Sequence, residues 1–454
     1  MSAEVDREEI LQSSALVKAF GWLWLLFLTS IFLFDHRWTI SQGFAGDISR
    51  LTADELAQEA GAGTPMRRMA FLALGAVSAL SLYWGRGRFH HIRISKLGWL
   101  VLLFLGWATA SMAWSVEPAM STRRLSVFLI LWFAAFATSR RFGVRVMVLG
   151  LLWSSFAYLH TGIAAEIVLG TFHPLNAGYR FAGTLHPNSQ AGNCALLLLS
   201  ALFLARFETR WRGVYAIVTF EAILFLYLTK SRTSLGAVLL SLTAVYFILS
   251  SPNRQRFLVL GSGVALCLVV MFSDLIAPAF ARVGTLGRQD SENVSLTGRI
   301  PLWGQAYSYI RDRPVQGYGY GAFWTPRHIV DFSAKQGWIV PDAHSAIVDA
   351  CLSIGIVGCG MYLAIMAWSI GGALTNRATD ERGYYACLAA ALMFAVIAGI
   401  TESVIFDATP LTLVFMLVVC LLSVSERRRR PVHAHLKEWP DALRSAFPPV
   451  GVRR

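Results

Sequence analysis

Apolar runs of about 20 residues, each long enough to cross a hydrocarbon core, recur along this sequence and leave little choice of fold. Set against the charged residues that punctuate them, twelve runs fall near 15–34, 69–84, 97–114, 125–138, 146–169, 191–207, 213–228, 235–250, 257–273, 345–373, 384–400 and 410–424. The expectation is an all-α polytopic membrane protein with about twelve transmembrane helices. Composition agrees: 15% of the 454 residues are charged and 55% are hydrophobic, where a soluble domain carries about 25% charged residues. Most of the surface must face something other than water. The first run follows an acidic stretch, Met1 to Asp6, and no small-residue cleavage site comes after it. It is expected to remain as an anchor.

The net charge of +13 does not point to nucleic acid. The cations sit in short clusters between apolar runs, where they orient membrane helices. One set of loops is basic: Arg86, Arg88, Arg93 and Lys96, then Arg140, Arg141 and Arg145, then Arg206, Arg210 and Arg212, then Arg254 and Arg256, then Arg377 and Arg382. With the tail that opens at Arg427, they are placed in the cytoplasm together with both termini. The alternate set is thinner and mixed, holding Arg123, Arg124, Arg180, Lys230, Arg232, Glu402 and Asp407. The expected organisation is nine helices over 1–273, a long non-cytoplasmic loop over 274–343, three helices over 344–426 and a basic cytoplasmic tail over 427–454.

A loop as long as 274–343 is usually functional. Within it, Thr297 to Arg311 reads as a short amphipathic helix lying on the membrane surface, with Leu302, Trp303, Ala306, Tyr309 and Ile310 on one face and Pro314 as its stop. Gly317-Tyr-Gly-Tyr-Gly321 then forces a tightly turning segment. Asp342 stands as a possible N-cap for the next membrane helix.

Several residues on this side could carry chemistry. Lys230 and Arg232 break the orientation rule in a minimal link between two spans. They read either as headgroup-facing anchors that snorkel or as an anion site, since a guanidinium offers a planar fork of donors that fits phosphate oxygens. Arg299 opens the amphipathic helix on the same face. His344 sits where a loop enters a membrane helix, reachable from water; it reads as a proton-transfer group or as a structural histidine bonded to a carbonyl. Arg180, His186, Asn188 and Gln190 cluster around Pro187, which fixes a turn, so that His186 and Asn188 line a polar pocket or the segment is a well-bonded loop. Glu402 is a second base or an arginine partner.

The sequence holds no Walker A loop, no GxGxxG, no HExxH and no Asp-x-Asp pair, so no metal site and no cofactor is expected. A phosphate leaving group would have its charge carried by arginines. All six cysteines lie in apolar segments with no CxxC spacing and read as small core residues.

In order and sidedness, Ser231-Arg-Thr after a span, Arg299 followed by the Trp303 helix, Gly317-x-Gly319, and His344 opening a helix that holds Gly355-Ile-Val-Gly358 together resemble the O-antigen ligase family. That family shares its membrane architecture with O-antigen polymerases and protein O-oligosaccharyltransferases. The resemblance implies a metal-independent, inverting glycosyltransferase at the periplasmic face of a bacterial inner membrane. Its donor would be an O-antigen on undecaprenyl diphosphate and its acceptor the lipid A–core oligosaccharide, so that lipopolysaccharide is completed. The family's essential arginines match Arg232 and Arg299, and its essential histidine matches His344. The family often has Asn directly after that histidine, whereas Ser345 stands here.

Arg232 and Arg299 are thus expected to grip the diphosphate, and His344 to orient or deprotonate the acceptor hydroxyl. Arg180, His186, Asn188, Lys230 and Glu402 complete the substrate-binding set. Polymerase or protein-glycosylating activity uses the same donor with another acceptor. A transporter is a third reading, but transporters usually show repeated halves and broken helices at mid-membrane, and no repeat is visible here.

Overall fold

The computed structural model describes residues 65–83, 92–176, 178–255, 299–376, 381–403 and 408–426. Ten of the twelve apolar runs lie within these residues, and each is one helix: α1 (Pro65–Tyr83), α2 (Lys96–Ala110), α3 (Pro118–Arg141), α4 (Val144–Val168), α5 (Pro187–Phe207), α6 (Arg212–Leu228), α7 (Arg232–Leu249), α10 (Ala346–Thr375), α11 (Arg382–Gly399) and α12 (Pro410–Ser423). Two more, α8 (Arg299–Asp312) and α9 (Pro326–Gln336), lie in the insertion between α7 and α10. The runs near 15–34 and 257–273, the first part of the insertion and the tail from Arg427 fall outside the described residues. Among the described residues, seven helices are long and apolar enough to cross a membrane. The chain is a multi-pass helical membrane protein.

The helix starts follow simple chemistry. Proline opens α3, α5 and α9, where its missing N–H has no intrahelical partner to lose. Ser95 caps α2 by accepting from the Gly98 amide at 3.2 Å. Within the spans, hydroxyls bond back to the preceding turn, as Ser78 does to the Leu74 carbonyl, Thr138 to Ala134 and Ser200 to Leu196. A polar group in an apolar medium is thereby satisfied inside its own helix.

The helices alternate in direction, so their ends gather in two layers. At one end, Arg145 on α4 forms a two-pronged ion pair with Glu208 beyond α5, and the Tyr384 hydroxyl of α11 donates to the same carboxylate at 2.6 Å. This end also holds the only strands among the described residues, a short antiparallel pair of β1 (Ile92–Ile94) and β2 (Val424–Glu426). The opposite end collects the starts of α5, α7 and α10, the ends of α6 and α11, and the α8–α9 insertion.

Tyr309, Tyr318, Phe323, Trp324 and Phe332 form a second hydrophobic core within that insertion. The apolar face expected on the first insertion helix is real: Leu302 and Ala306 are fully buried, with Trp303, Tyr309 and Ile310 beside them. That face is covered by protein, however, where the sequence suggested lipid. Aromatic partners from α9 and the glycine-rich turn reach it first.

The insertion is stitched to a break in α10. Gly355 has φ 71° and ψ 179° in the middle of that helix, a region open essentially to glycine. The break frees backbone groups that would each cost several kcal/mol if left bare in an apolar setting. Each has a partner. The Leu352 and Ser353 carbonyls accept from the amides of Tyr318 and Gly319, at 2.8 and 2.9 Å. The Ile354 carbonyl accepts from the Trp107 indole at 2.9 Å, and the Ile356 amide donates to the Pro314 carbonyl at 2.8 Å. A side chain at Gly317 would meet the Gly355 amide nitrogen at 2.6 Å, so both glycines serve one close approach.

Candidate active site

The polar residues singled out in the sequence meet at the insertion end of the bundle. His186 is the N-cap of α5, its Nδ1 accepting from the Asn188 amide at 3.2 Å. The turn expected at Pro187 is therefore a helix start. Asn188, one residue further in, accepts from Arg180 Nη2 through Oδ1 at 3.4 Å and donates through Nδ2 to Glu402 Oε1 at 2.8 Å. Its amide orientation follows from these two bonds. Glu402 Oε1 also accepts from Arg299 Nη2 at 2.8 Å, and the two side chains are 12% and 14% exposed. One carboxylate thus links α8 to α5, and through Asn188 to Arg180.

Arg180 carries the network onward by donating from Nε to the Thr229 carbonyl at 3.2 Å. Thr229 ends α6, and Lys230, Ser231 and Arg232 follow it into α7. The Arg180 segment is itself held by Glu166 near the end of α4. The Glu166 carboxylate accepts from the Ala182 amide at 2.9 Å, the Gly183 amide at 2.7 Å and the Tyr179 hydroxyl. Sequence reasoning gave Glu166 no role.

His344 precedes α10, whose N-cap is Ser345. Asp342 does not cap the helix as expected. Its Oδ1 instead accepts from the His344 amide at 2.7 Å and lies 3.4 Å from His344 Nδ1. The reason is steric: Ser345 has the extended backbone of a cap, while His344 is turned into the left-handed region with φ 47°. The indole of Trp338 lies beside the imidazole, ring centroids 5.2 Å apart. Among the described residues two non-glycine residues have positive φ, Lys230 at 53° and His344 at 47°. Strained backbone of this kind tends to gather at functional sites.

Electrostatically, the starts of α5, α7 and α10 bring helix N-termini to the end where Arg180, Lys230, Arg232 and Arg299 stand. Both features favour an anion. Against them stands Glu402, whose carboxyl is held above the usual glutamate range. Burial raises it most; Arg299 and His344 pull it down, and Asp342 pushes it up.

Two further features escaped the sequence. Helix α9 was legible in principle, since Thr325 caps it by accepting from the His328 amide, Pro326 opens it and Gly337 closes it at φ 73°. Asp349 is the other. It lies one turn into α10 and reads as an ordinary acidic residue in a first helical turn.

The chain is thus a multi-pass helical bundle in which a cluster of arginines and a histidine stand at one end. Residues 217–363 match the family model described as O-antigen ligase, which bears out the resemblance carried by the motifs. The matched stretch includes Arg232, Arg299 and His344. The chain is also 24% identical over 307 residues to the exopolysaccharide production protein ExoQ of Rhizobium meliloti (strain 1021), a match covering 62% of this chain and 66% of that relative.

Proposed function

We propose that the chain is a glycosyltransferase that moves a glycan from a polyprenyl diphosphate donor to an acceptor hydroxyl, with an O-antigen on undecaprenyl diphosphate as donor and lipid A–core oligosaccharide as acceptor. The observation that carries this reading is the network Arg299–Glu402–Asn188–Arg180, which ends on the turn before Arg232 and gathers cations where three helices begin. A diphosphate fits such a place better than a single phosphate does, because guanidinium groups from separate elements can each take an oxygen.

In the proposed reaction the acceptor oxygen attacks the anomeric carbon as its bond to the diphosphate oxygen breaks, on the opposite face, and the centre inverts. Arg232 and Arg299 neutralise the charge that builds on the departing diphosphate. Asp342 lies beside His344 Nδ1, which leaves Nε2 to accept the hydroxyl proton or to orient the hydroxyl. Arg180, Asn188, Lys230 and His186 bind donor phosphate and sugar, and Glu402 holds Arg299 in place. No step calls for a metal ion. The reading places this chemistry at the periplasmic face of a bacterial inner membrane, with both termini cytoplasmic.

One observation favours a second acceptor. The relative is described by exopolysaccharide production, which suits transfer onto a growing glycan instead of lipid A–core. Purified protein in lipid, given a defined lipid-diphosphate glycan and lipid A–core with a chelator present, decides both questions. Arg232→Ala and His344→Ala are each expected to reduce transfer by about 100-fold or more while the protein stays folded and inserted. Near-normal turnover in both variants overturns the reading. Chain lengthening without lipid A–core selects the polymerase acceptor.

A further inference from the structure

The His344 backbone is held with unusual completeness. Four successive amides go to four different acceptors: Ala343 to Asp349 Oδ1 at 3.2 Å, His344 to Asp342 Oδ1 at 2.7 Å, Ser345 to Ser403 Oγ at 3.1 Å, and Ala346 to the Glu402 carbonyl at 3.2 Å. The Ala343 carbonyl accepts from the Trp303 indole at 2.9 Å. Two of the four amides lead to one side chain, since the Ser403 hydroxyl that receives Ser345 donates its own hydrogen to Asp349 Oδ2. Asp349 Oδ1 also accepts from the Trp324 indole at 2.7 Å.

We propose that Asp349 is a positioning residue of the transferase site, the single side chain that locks the His344 segment, the Glu402 segment and the aromatic core of the insertion into one register; this rests on the transfer reading above. The argument is one of donors and acceptors. Its Oδ1 accepts from an indole N–H and a backbone N–H, and its Oδ2 accepts from a hydroxyl. Its oxygens therefore fix the direction of the chain Ser345 amide to Ser403 hydroxyl to Asp349. An asparagine has nearly the same shape but turns an NH₂ toward Ser403. That hydroxyl would then face two donors, and its own hydrogen would have no acceptor. The Ser345 and Glu402 segments would part, and the left-handed conformation of His344 would lose its brace. Asp349 touches no site arginine in this network, so donor binding should be spared.

The test is Asp349→Asn in purified protein in lipid, with turnover, acceptor KM and donor affinity measured separately beside Arg232→Ala and His344→Ala. The expected result is a fall of about 10- to 100-fold in kcat with donor affinity within about twofold of wild type and an unchanged fold. Ser403→Ala, which removes one bond of the chain and leaves the carboxylate, is expected to lower kcat by a smaller factor. Adding it to Asp349→Asn should cause little further loss, because the two act through one link. Should Asp349→Asn fail to fold, Ser403→Ala and Trp324→Phe decide: a kcat loss with intact donor binding supports the proposal, and wild-type kcat in both overturns it. Wild-type kcat in a folded Asp349→Asn, or a loss of donor affinity matching the loss of rate, overturns it as well. If Arg232→Ala and His344→Ala turn over normally, it is the transfer reading that fails.

Discussion

At the residue scale, Glu402 and Lys230 separate what the site needs from what the fold needs. The Glu402 carboxyl binds its proton more tightly in the folded chain than in the unfolded one, because burial outweighs the pull of Arg299. A carboxyl shifted upward supports folding best below its unfolded value of 4.5, and that support is lost as pH rises through the folded value. Glu402→Gln should therefore leave the Tm unchanged or raised at neutral pH, with the difference from wild type shrinking toward pH 4.5. Turnover should fall about tenfold or more, since Arg299 loses its ionic partner and with it a fixed position. A clear drop in Tm at pH 7 in a thermal-shift series would contradict this. Lys230 stands just beyond the end of α6, where a helix ordinarily places glycine in the left-handed region. Lys230→Gly is expected to stabilise the protein by about 0.5–1 kcal/mol and to weaken donor binding, read as a Tm rise with a higher donor KM. Lys230, Arg232, Arg299 and His344 stand out in the sequence as cations or a titratable ring at a membrane boundary. The bridge from Asn188 to Glu402 was not, because 214 residues separate its ends and only packing brings them together. Asp349 was missed for the same reason: its three partners lie 25, 6 and 54 residues away.

At the element scale, the apolar runs identified the helices, since length and hydropathy are local properties and lipid enforces the helical answer. Local pattern could not reveal the break in α10. Ala346 to Thr375 is apolar throughout, so Gly355 reads as one more small residue in a span. The Tyr318 and Gly319 amides and the Pro314 carbonyl, arriving from the insertion, satisfy the broken turn together with the Trp107 indole. Gly317 and Gly355 thus answer one steric demand from two sides, while Gly319 leaves room for Ser115. Gly355→Ala places a methyl 2.0 Å from the Val315 carbonyl oxygen and asks alanine to adopt φ 71°. The expected cost is about 2 kcal/mol or more, seen as a lowered Tm. Transfer should be lost as well, because the short first segment of α10 carries His344 at its start. Gly360→Ala, which meets nothing within 4 Å on the same helix, should change neither; equal damage from both would mean that the break is not the sensitive feature.

At the scale of the whole molecule, sidedness links the sequence to the site. The basic loops of the sequence, Arg140 with Arg141 and Arg145, and Arg206 with Arg210 and Arg212, lie at the end of the bundle opposite the cluster of Arg180, Arg299 and Glu402. That arrangement follows from alternating helices and could be read from spacing alone. Which ends converge laterally could not, because it depends on α5 lying at the centre against α4, α6, α7 and α11. If the basic end faces the cytoplasm, the cluster faces the other compartment, where a lipid-linked glycan would have to be presented. Two exposed positions report on this: Leu175, 98% exposed in the segment between α4 and α5, and Thr209, exposed in the turn between α5 and α6. On a background with the native cysteines replaced, a membrane-impermeant maleimide should label Leu175→Cys in intact spheroplasts. Thr209→Cys should react only after permeabilisation. The opposite pattern would put the cationic cluster in the cytoplasm, within reach of soluble nucleotide sugars. The periplasmic placement of the transfer would then fail, even with every distance in the site unchanged.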